Sequence, residues 1–109
     1  YLALFHFQQS AEKALKAYLY QITSSQEVFF THSIYELIET LCKDDADFKK
    51  IEHTAKLDQY YIPTRYPNGL PGGVPSRFFK DEKEVQEAME LTKMVIDMVK
   101  QKMGVVDLE

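Results

Sequence analysis

Apolar residues recur at three- and four-residue spacing through most of this chain, which is the period of an amphipathic α-helix. The pattern predicts a first helix over residues 1 to about 22, with an apolar stripe toward the core and a polar face toward solvent. The stripe consists of Leu4, Phe7, Ala11, Ala14 or Leu15, Tyr18 and Ile22, and the opposite face of Gln9, Glu12, Lys13 and Lys16. Glu12 and Lys16 are four residues apart in the favourable order, so we expect them to form an ion pair.

Two shorter helices follow the first. Ser33 and Glu36 form a capping-box pattern, which predicts a helix start at this point. Its buried stripe is Ile34, Leu37, Ile38 and Leu41. A third helix is predicted from about Asp45 or Ala46 to about Gln59, with a weaker period. That period is carried by Phe48, Ile51, Ala55 and Leu57 or Asp58.

The last helix is predicted from about Asp81 to Gly104, a natural stop. It is apolar on two sides and should be covered on two sides, by the bundle and by a partner chain. One stripe is Val85, Ala88 or Met89, Thr92, Val95 or Ile96, Val99 and Met103, and the other is Leu91, Met94 and Met98. Strand-like alternation is absent from the sequence. We therefore predict an all-α, antiparallel up-and-down bundle in one domain, residues 1–104, with a tail at 105–109.

A long Pro/Gly-rich loop separates the last two helices. The segment 60–79 contains all four prolines, three of the four glycines and both arginines, and it contains no acidic residue. Aromatic residues at both of its ends predict an ordered loop that presents two guanidinium groups. Arg65 and Arg77 suit a phosphate or carboxylate ligand. The alternative interpretation is structural: Arg65 caps a helix or pairs with a carboxylate of the bundle.

Composition excludes several classes of protein. The chain of 109 residues carries a net charge of −4, which argues against extensive nucleic-acid binding although not against one basic site. Its single cysteine, Cys42, cannot form an internal disulfide, which favours a cytoplasmic location. No apolar run in the sequence approaches the length of a membrane span.

Familiar catalytic and metal-binding patterns are absent from the sequence. His6, His32 and His53 are far apart and lack metal-ligand spacing, and we expect His32 to help fix the helix start at Ser33. There is no nucleophile motif and no phosphate-binding glycine loop. The acidic cluster Asp44, Asp45 and Asp47 is interpreted as a helix start, because it lacks the glycine and the closing glutamate of a calcium loop. The polar residues of the first helix either line a ligand groove or form a solvated face (Gln8, Gln9, Glu12, Lys13 and Lys16).

Two motifs together resemble the HEPN domain family. The first is the run FQQSAEKALKA at 7–17, which is similar to the family's signature helix, followed by His32-Ser33-Ile34. The second is LDQYYIPTRYPN at 57–68, continued by Pro71, Pro75, Arg77 and Phe78. The resemblance covers nearly the whole chain. It implies a bundle of about five helices, of which the first would precede residue 1, and it implies a homodimer.

The resemblance also implies two functions. Some members bind nucleotides, and some are encoded beside a minimal nucleotidyltransferase. Others are metal-independent RNA-cleaving toxins with the motif arginine, four to six residues, then histidine. The three positions that this motif allows after Arg65 hold Leu70, Pro71 and Gly72, and those after Arg77 hold Glu82, Lys83 and Glu84. Because the imidazole is absent there, the resemblance favours binding over cleavage.

The sequence thus predicts a non-catalytic HEPN domain that binds a nucleotide of the ATP or GTP class, with no metal or other cofactor. Arg65 would be the main phosphate contact, assisted by Tyr66, Arg77 and Lys16, with Gln9 and Glu12 ordering the groove. One alternative is a ligand-free interaction subunit that docks onto a nucleotidyltransferase or a second HEPN chain. Another is an RNA-cleaving HEPN toxin that uses His6 or His32.

Overall fold

The computed structural model describes residues 2–24, 30–61 and 82–104, and these are all-α. Within these ranges four helices follow one another: α1 (Leu2–Thr23), α2 (Ile34–Cys42), a 3₁₀ helix (Ala46–Tyr60) and α3 (Glu82–Met103). The predicted all-α bundle of four helices is confirmed. The predicted loop falls outside the described residues from position 62 to position 81, and with it Arg65, Tyr66 and Arg77.

The predicted helix ends are confirmed where the structure describes them. Ser33 precedes α2 in an extended conformation, and its side chain accepts a hydrogen bond from the backbone N–H of Glu36. Asp45 caps the 3₁₀ helix in the same way, by accepting from the backbone N–H of Asp47 at 3.0 Å. Gly104 follows α3 with φ +78°, the left-handed conformation that glycine adopts without strain.

The core lies between the four helices, and α2 contributes the four apolar side chains that its spacing predicts. The prediction for α1 is partly wrong. Ile22 is 47% exposed, whereas the predicted polar-face residues Glu12 and Lys16 are buried. The buried side of α1 is centred on residues three or four apart: Leu4, Gln8, Glu12, Lys16 and Leu19, with Ala11 and Leu15 beside them. Because α1 packs against the three other helices, it buries polar positions that a simple division into one apolar and one polar face assigns to solvent.

The third helix has 3₁₀ geometry, interrupted at Ile51, where φ is −112° and ψ is 19°. Its buried residues recur every three positions: Phe48, Ile51, Thr54, Leu57 and Tyr60. A 3₁₀ helix has three residues per turn, so on either side of the interruption this spacing keeps the buried side chains of that stretch on one face. Ala55, which was predicted to lie on the buried face, is only partly buried, and Thr54 occupies the core position instead. Its hydroxyl is satisfied by donating to the Ile51 carbonyl at 2.6 Å.

The 3₁₀ helix is antiparallel to α3, because the start of each helix lies next to the end of the other. Lys102, near the end of α3, bonds Asp45 and Asp47 at the start of the 3₁₀ helix. Tyr60, at its end, donates its hydroxyl proton to Glu84 in the first turn of α3, with 2.5 Å between the oxygens. The described chain therefore stops at residue 61 and resumes at residue 82 at the same end of the bundle. Among the described residues, no helix is long and apolar enough to cross a membrane.

Candidate functional site

A polar cluster is buried along one side of α1, close to the end of the bundle where residues 62–81 begin. Gln8, Glu12 and Lys16 follow one another at four-residue spacing, and they are 0%, 5% and 8% exposed. Ionised groups are rarely buried to this degree unless they are paired. The cluster is thus the most unusual feature of the described chain.

Glu12 is the centre of this cluster. Its Oε2 atom lies 2.8 Å from Lys16 Nζ and 3.0 Å from His32 Nδ1, and its Oε1 atom accepts from Gln8 Nε2 at 3.1 Å. Burial alone would raise the pKa of Glu12. The hydrogen bonds from Lys16, His32 and Gln8 outweigh burial, so the pKa lies below its usual value and the carboxylate stays ionised.

Gln8 connects α1 to the chain segment before α2. Its Nε2 group donates to the His32 carbonyl at 3.1 Å as well as to Glu12. Both neighbours are acceptors, which fixes the orientation of the amide. The Gln8 Oε1 atom, by contrast, is buried and has no hydrogen-bond partner in the described parts of the chain.

His32 lies at the edge of the cluster, with a side chain that is 49% exposed. Its Nδ1 atom faces the ionised Glu12, so Nδ1 carries a proton and donates it to the carboxylate. The ring stacks on Tyr61, with 4.8 Å between the centroids and 16° between the planes. The carboxylate and the phenol ring together hold the imidazole in one orientation.

Asp58 connects the 3₁₀ helix to the start of α2. It accepts hydrogen bonds from the Ser33 hydroxyl and from the backbone N–H groups of Ile34 and Tyr35, at 3.1, 2.7 and 3.1 Å. The N-terminus of α2 would otherwise be an anion site, because its N–H groups are free and its dipole is positive. Asp58 already occupies that position, so α2 does not offer it to a ligand.

Two cavities flank the point where residues 62–81 begin. The first, of about 280 Å³, is lined by His32, Ser33, Asp58 and Tyr61. The second, of about 540 Å³, is lined by Lys56, Gln59, Tyr60, Lys83, Glu84 and Glu87. Charges in the second are matched across its surface, where Lys56 bonds Glu87 at 3.1 Å. The first cavity adjoins the buried cluster, and we take it as the candidate site.

A family model for the HEPN domain matches residues 1–102. The chain belongs to the HEPN domain family. No curated protein and no solved structure matches the chain closely enough to be compared with it. The family match agrees with the resemblance seen in the sequence, and it leaves the role of each residue of this HEPN domain to be argued from its geometry.

Of the residues predicted for the HEPN ligand site, the structure brings two together. Glu12 and Lys16 are in contact, as their spacing predicts, while Gln9 is half-buried and makes no hydrogen bond in the described ranges. The three loop residues Arg65, Tyr66 and Arg77 lie outside the described residues, so their roles stay predictions.

Two residues of the site, Asp58 and Tyr61, were not assigned to it from the sequence, and two others, Gln8 and His32, were named only in alternative interpretations. His32 contacts Glu12 of α1, 20 positions away, and Asp58 contacts the start of α2, 24 positions away. Helical periodicity in a sequence does not predict such contacts. His32 was expected to help fix a helix start, or to act as a catalyst in the RNA-cleaving alternative; in the structure its carbonyl accepts from Gln8 and its ring faces Glu12. Within the described ranges, no group of three or more histidine, cysteine or acidic residues is placed to hold a metal ion.

Proposed function

We propose that this HEPN domain binds a nucleotide, or a similar phosphate-bearing ligand, without transforming it. The site is the cavity at His32 and Tyr61, together with residues 62–81, which begin beside it. Arg65 is the main phosphate contact in this proposal, with Tyr66 and Arg77 assisting. The buried Glu12 cluster is the observation that carries the proposal.

The position of the cluster supports a binding role. A buried ion pair contributes little net stability compared with well-packed apolar side chains, so its presence in a core calls for another explanation. Perturbed titratable groups beside a cavity are typical of functional sites. In this domain the carboxylate holds Lys16 and also His32, which lines the cavity.

The charge balance of the cavity supports a contribution from the loop. Glu12 and Asp58 bring two negative charges, and Lys16 is already bonded to Glu12. A phosphate therefore needs cations from elsewhere. Arg65 and Arg77 are the only arginines of the chain, and their segment carries no acidic residue. Arginine pairs with phosphate through two parallel hydrogen bonds.

In this role Lys16 and Glu12 act indirectly. Lys16 is 8% exposed and its ammonium is held by Glu12, so it contributes positive potential rather than a direct contact. Gln9 is next to this cluster on α1 and would border the groove. This assignment keeps the predicted set of residues but gives its α1 members a supporting function.

A protein partner is part of the proposal. Met89, Met94 and Met103 of α3 are exposed, at 48%, 37% and 37%, and flexible methionine side chains suit a contact surface. We propose that the domain forms a homodimer and works with a minimal nucleotidyltransferase. Sedimentation equilibrium of the purified chain tests the first point, and co-purification with a neighbouring gene product tests the second.

Calorimetric titration with ATP and with GTP tests the ligand. We expect binding, and we expect Arg65→Ala to weaken it about tenfold or more, the effect of losing a bidentate charged contact. Lys93→Ala removes an exposed positive charge on α3 and serves as the control, with an unchanged affinity. Unchanged affinity in Arg65→Ala would refute the assigned role, and absence of wild-type binding at millimolar nucleotide would refute the proposal.

The Glu12–His32 pair favours one second function, metal-independent cleavage of RNA. A carboxylate on Nδ1 leaves the other ring nitrogen of His32 unprotonated and able to accept the proton of a 2′-hydroxyl. RNA cleavage in the presence of a chelator, abolished by Arg65→Ala and by His32→Asn, would establish this function. RNA that remains intact at high protein concentration would exclude it.

A further inference from the structure

The cavity beside the Glu12 cluster has an aromatic wall. The rings of His32 and Tyr61 are stacked, with 4.8 Å between their centroids and 16° between their planes, which is within the range of favourable aromatic pairs. Glu12 holds the Nδ1 edge of His32 at 3.0 Å, so the stack is anchored to α1. The side chain of His32 is nevertheless 49% exposed. Because one face of the ring lies on Tyr61 and one edge on Glu12, the exposed part comprises the other face and the far edge.

The remaining polar capacity of the lining is that of an acceptor. Asp58 accepts from the N–H of Ile34 on Oδ1, and from the Ser33 hydroxyl and the N–H of Tyr35 on Oδ2. A carboxylate offers about four acceptor positions, so one remains on Oδ1. Ser33 already directs the proton of its hydroxyl to Asp58. A ligand group that fits this lining therefore brings a hydrogen-bond donor of its own.

Size and charge restrict the cavity to one part of a nucleotide. Its volume is about 280 Å³, just below the range of about 300–1,000 Å³ for sites that hold a whole drug-sized ligand. Its four described lining residues include one aspartate and no lysine or arginine, which disfavours a phosphate in the cavity itself. A nucleobase meets both requirements, because it is flat and stacks on aromatic side chains. Adenine and guanine also carry an exocyclic amino group that donates hydrogen bonds.

We infer that this cavity holds the base of the bound nucleotide. The base extends the stack of His32 and Tyr61, and its amino group donates to Oδ1 of Asp58. The stack accepts any base, whereas the contact with Asp58 favours adenine and guanine over hypoxanthine, which has no amino group. This inference rests on the proposed function and adds to it a base subsite, with its selectivity, that is built from described residues alone.

Tyr61→Leu and Tyr61→Phe form a matched pair, since leucine removes the ring and phenylalanine keeps it. Calorimetric titration with ATP and with tripolyphosphate, which has no base, separates the contribution of the base from that of the phosphates. We expect Tyr61→Leu to weaken ATP binding about tenfold and Tyr61→Phe to bind ATP as the wild type does. The affinity for tripolyphosphate should be the same in all three proteins. Unchanged ATP affinity in Tyr61→Leu, or an equal loss of affinity for ATP and for tripolyphosphate, would overturn the inference.

Two measurements on the wild type cover the case in which Tyr61→Leu fails to fold. Inosine triphosphate, whose base is hypoxanthine, should bind about tenfold more weakly than the tighter of ATP and GTP. The NMR signals of the ring protons of His32 and Tyr61 should shift when ATP is added, and not when tripolyphosphate is added. Inosine triphosphate bound as tightly as ATP and GTP would refute the contact with Asp58, and ring signals that ATP leaves unmoved would refute a base in the cavity. Either result leaves nucleotide binding intact, whereas absence of binding by both ATP and GTP would overturn the inference and the proposed function together.

Discussion

Glu12→Gln is the substitution that tests the buried cluster most directly, because it keeps the shape of the side chain and removes its charge. The carboxylate of Glu12 satisfies three donors at 2.8 to 3.1 Å, from Lys16, His32 and Gln8. In glutamine one of the two oxygens becomes an amide donor that faces these donors. Losing one partner of a buried, hydrogen-bonded charge costs about 2–3 kcal/mol when the remaining lysine can still reach water. For a domain of this size that lowers Tm by roughly 10–20 °C.

The sign of the pH dependence of this loss in stability follows from the environment of Glu12. The pKa of Glu12 is lowered in the folded protein, so its contribution to stability is fully present above the pKa of the unfolded chain and is lost as the pH falls through the folded value. We expect the difference between wild type and Glu12→Gln to shrink as the pH falls below about 4.5. Urea denaturation followed by circular dichroism at several pH values gives both numbers.

Glu87→Gln is the matched control, since it makes the same chemical change in an exposed pair. Glu87 bonds Lys56 across the surface of the second cavity, and such pairs contribute less than about 1 kcal/mol. Equal stability losses in the two variants would refute the conclusion that burial sets the strength of the Glu12 cluster. A loss at Glu12 that persists undiminished at pH 3 would refute the assignment to its charge.

Two further predictions concern helix ends. Asp58→Ala removes the acceptor for the hydroxyl of Ser33 and for two backbone N–H groups at the start of α2, and we expect a loss of about 2 kcal/mol in the free energy of unfolding by urea. Asp44→Ala, at an exposed position, is its control, and equal losses would contradict the capping role. Gly104→Ala should cost about 1 kcal/mol because φ is +78°, although the added methyl group meets nothing within 4 Å. An unchanged thermal midpoint would contradict this prediction, because it would show that backbone strain at the end of α3 does not lower the stability of the domain.

The elements of this fold are predictable from local sequence because their ends carry local chemistry. Ser33, Asp45 and Gly104 each mark a helix end through a side chain or a backbone angle, and each does so in the structure. The apolar stripe of α2 is also a local signal, since its four apolar residues recur at helical spacing and therefore lie on one face of the helix. The three-residue period of the 3₁₀ helix is also present in the sequence, but Thr54 at its centre is polar, so the positions do not form a continuous apolar pattern.

The site is less predictable because it is built from contacts between elements. Glu12 and Lys16 are polar and therefore look like a solvated face; only the approach of His32, 20 residues further on, turns them into a buried cluster. The Glu12–Lys16 pair could be predicted, but its burial could not. Asp58 likewise has no local signal, since the helix that it caps starts 24 residues before it. Contacts of this kind are found from the three-dimensional structure, and the family motif is the sequence signal that points to these residues in advance.

The hydrogen bond between Tyr60 and Glu84 has a consequence for how this domain can change over time. It holds together the two points at which residues 62–81 leave and rejoin the bundle. The entropy of closing a flexible connection grows only with the logarithm of its length, by about 0.6 kcal/mol for each doubling. Insertions and deletions between these points therefore cost the scaffold little. The segment to which we assign the ligand contacts can therefore change in length and composition while the four described helices and the Glu12 cluster remain as they are.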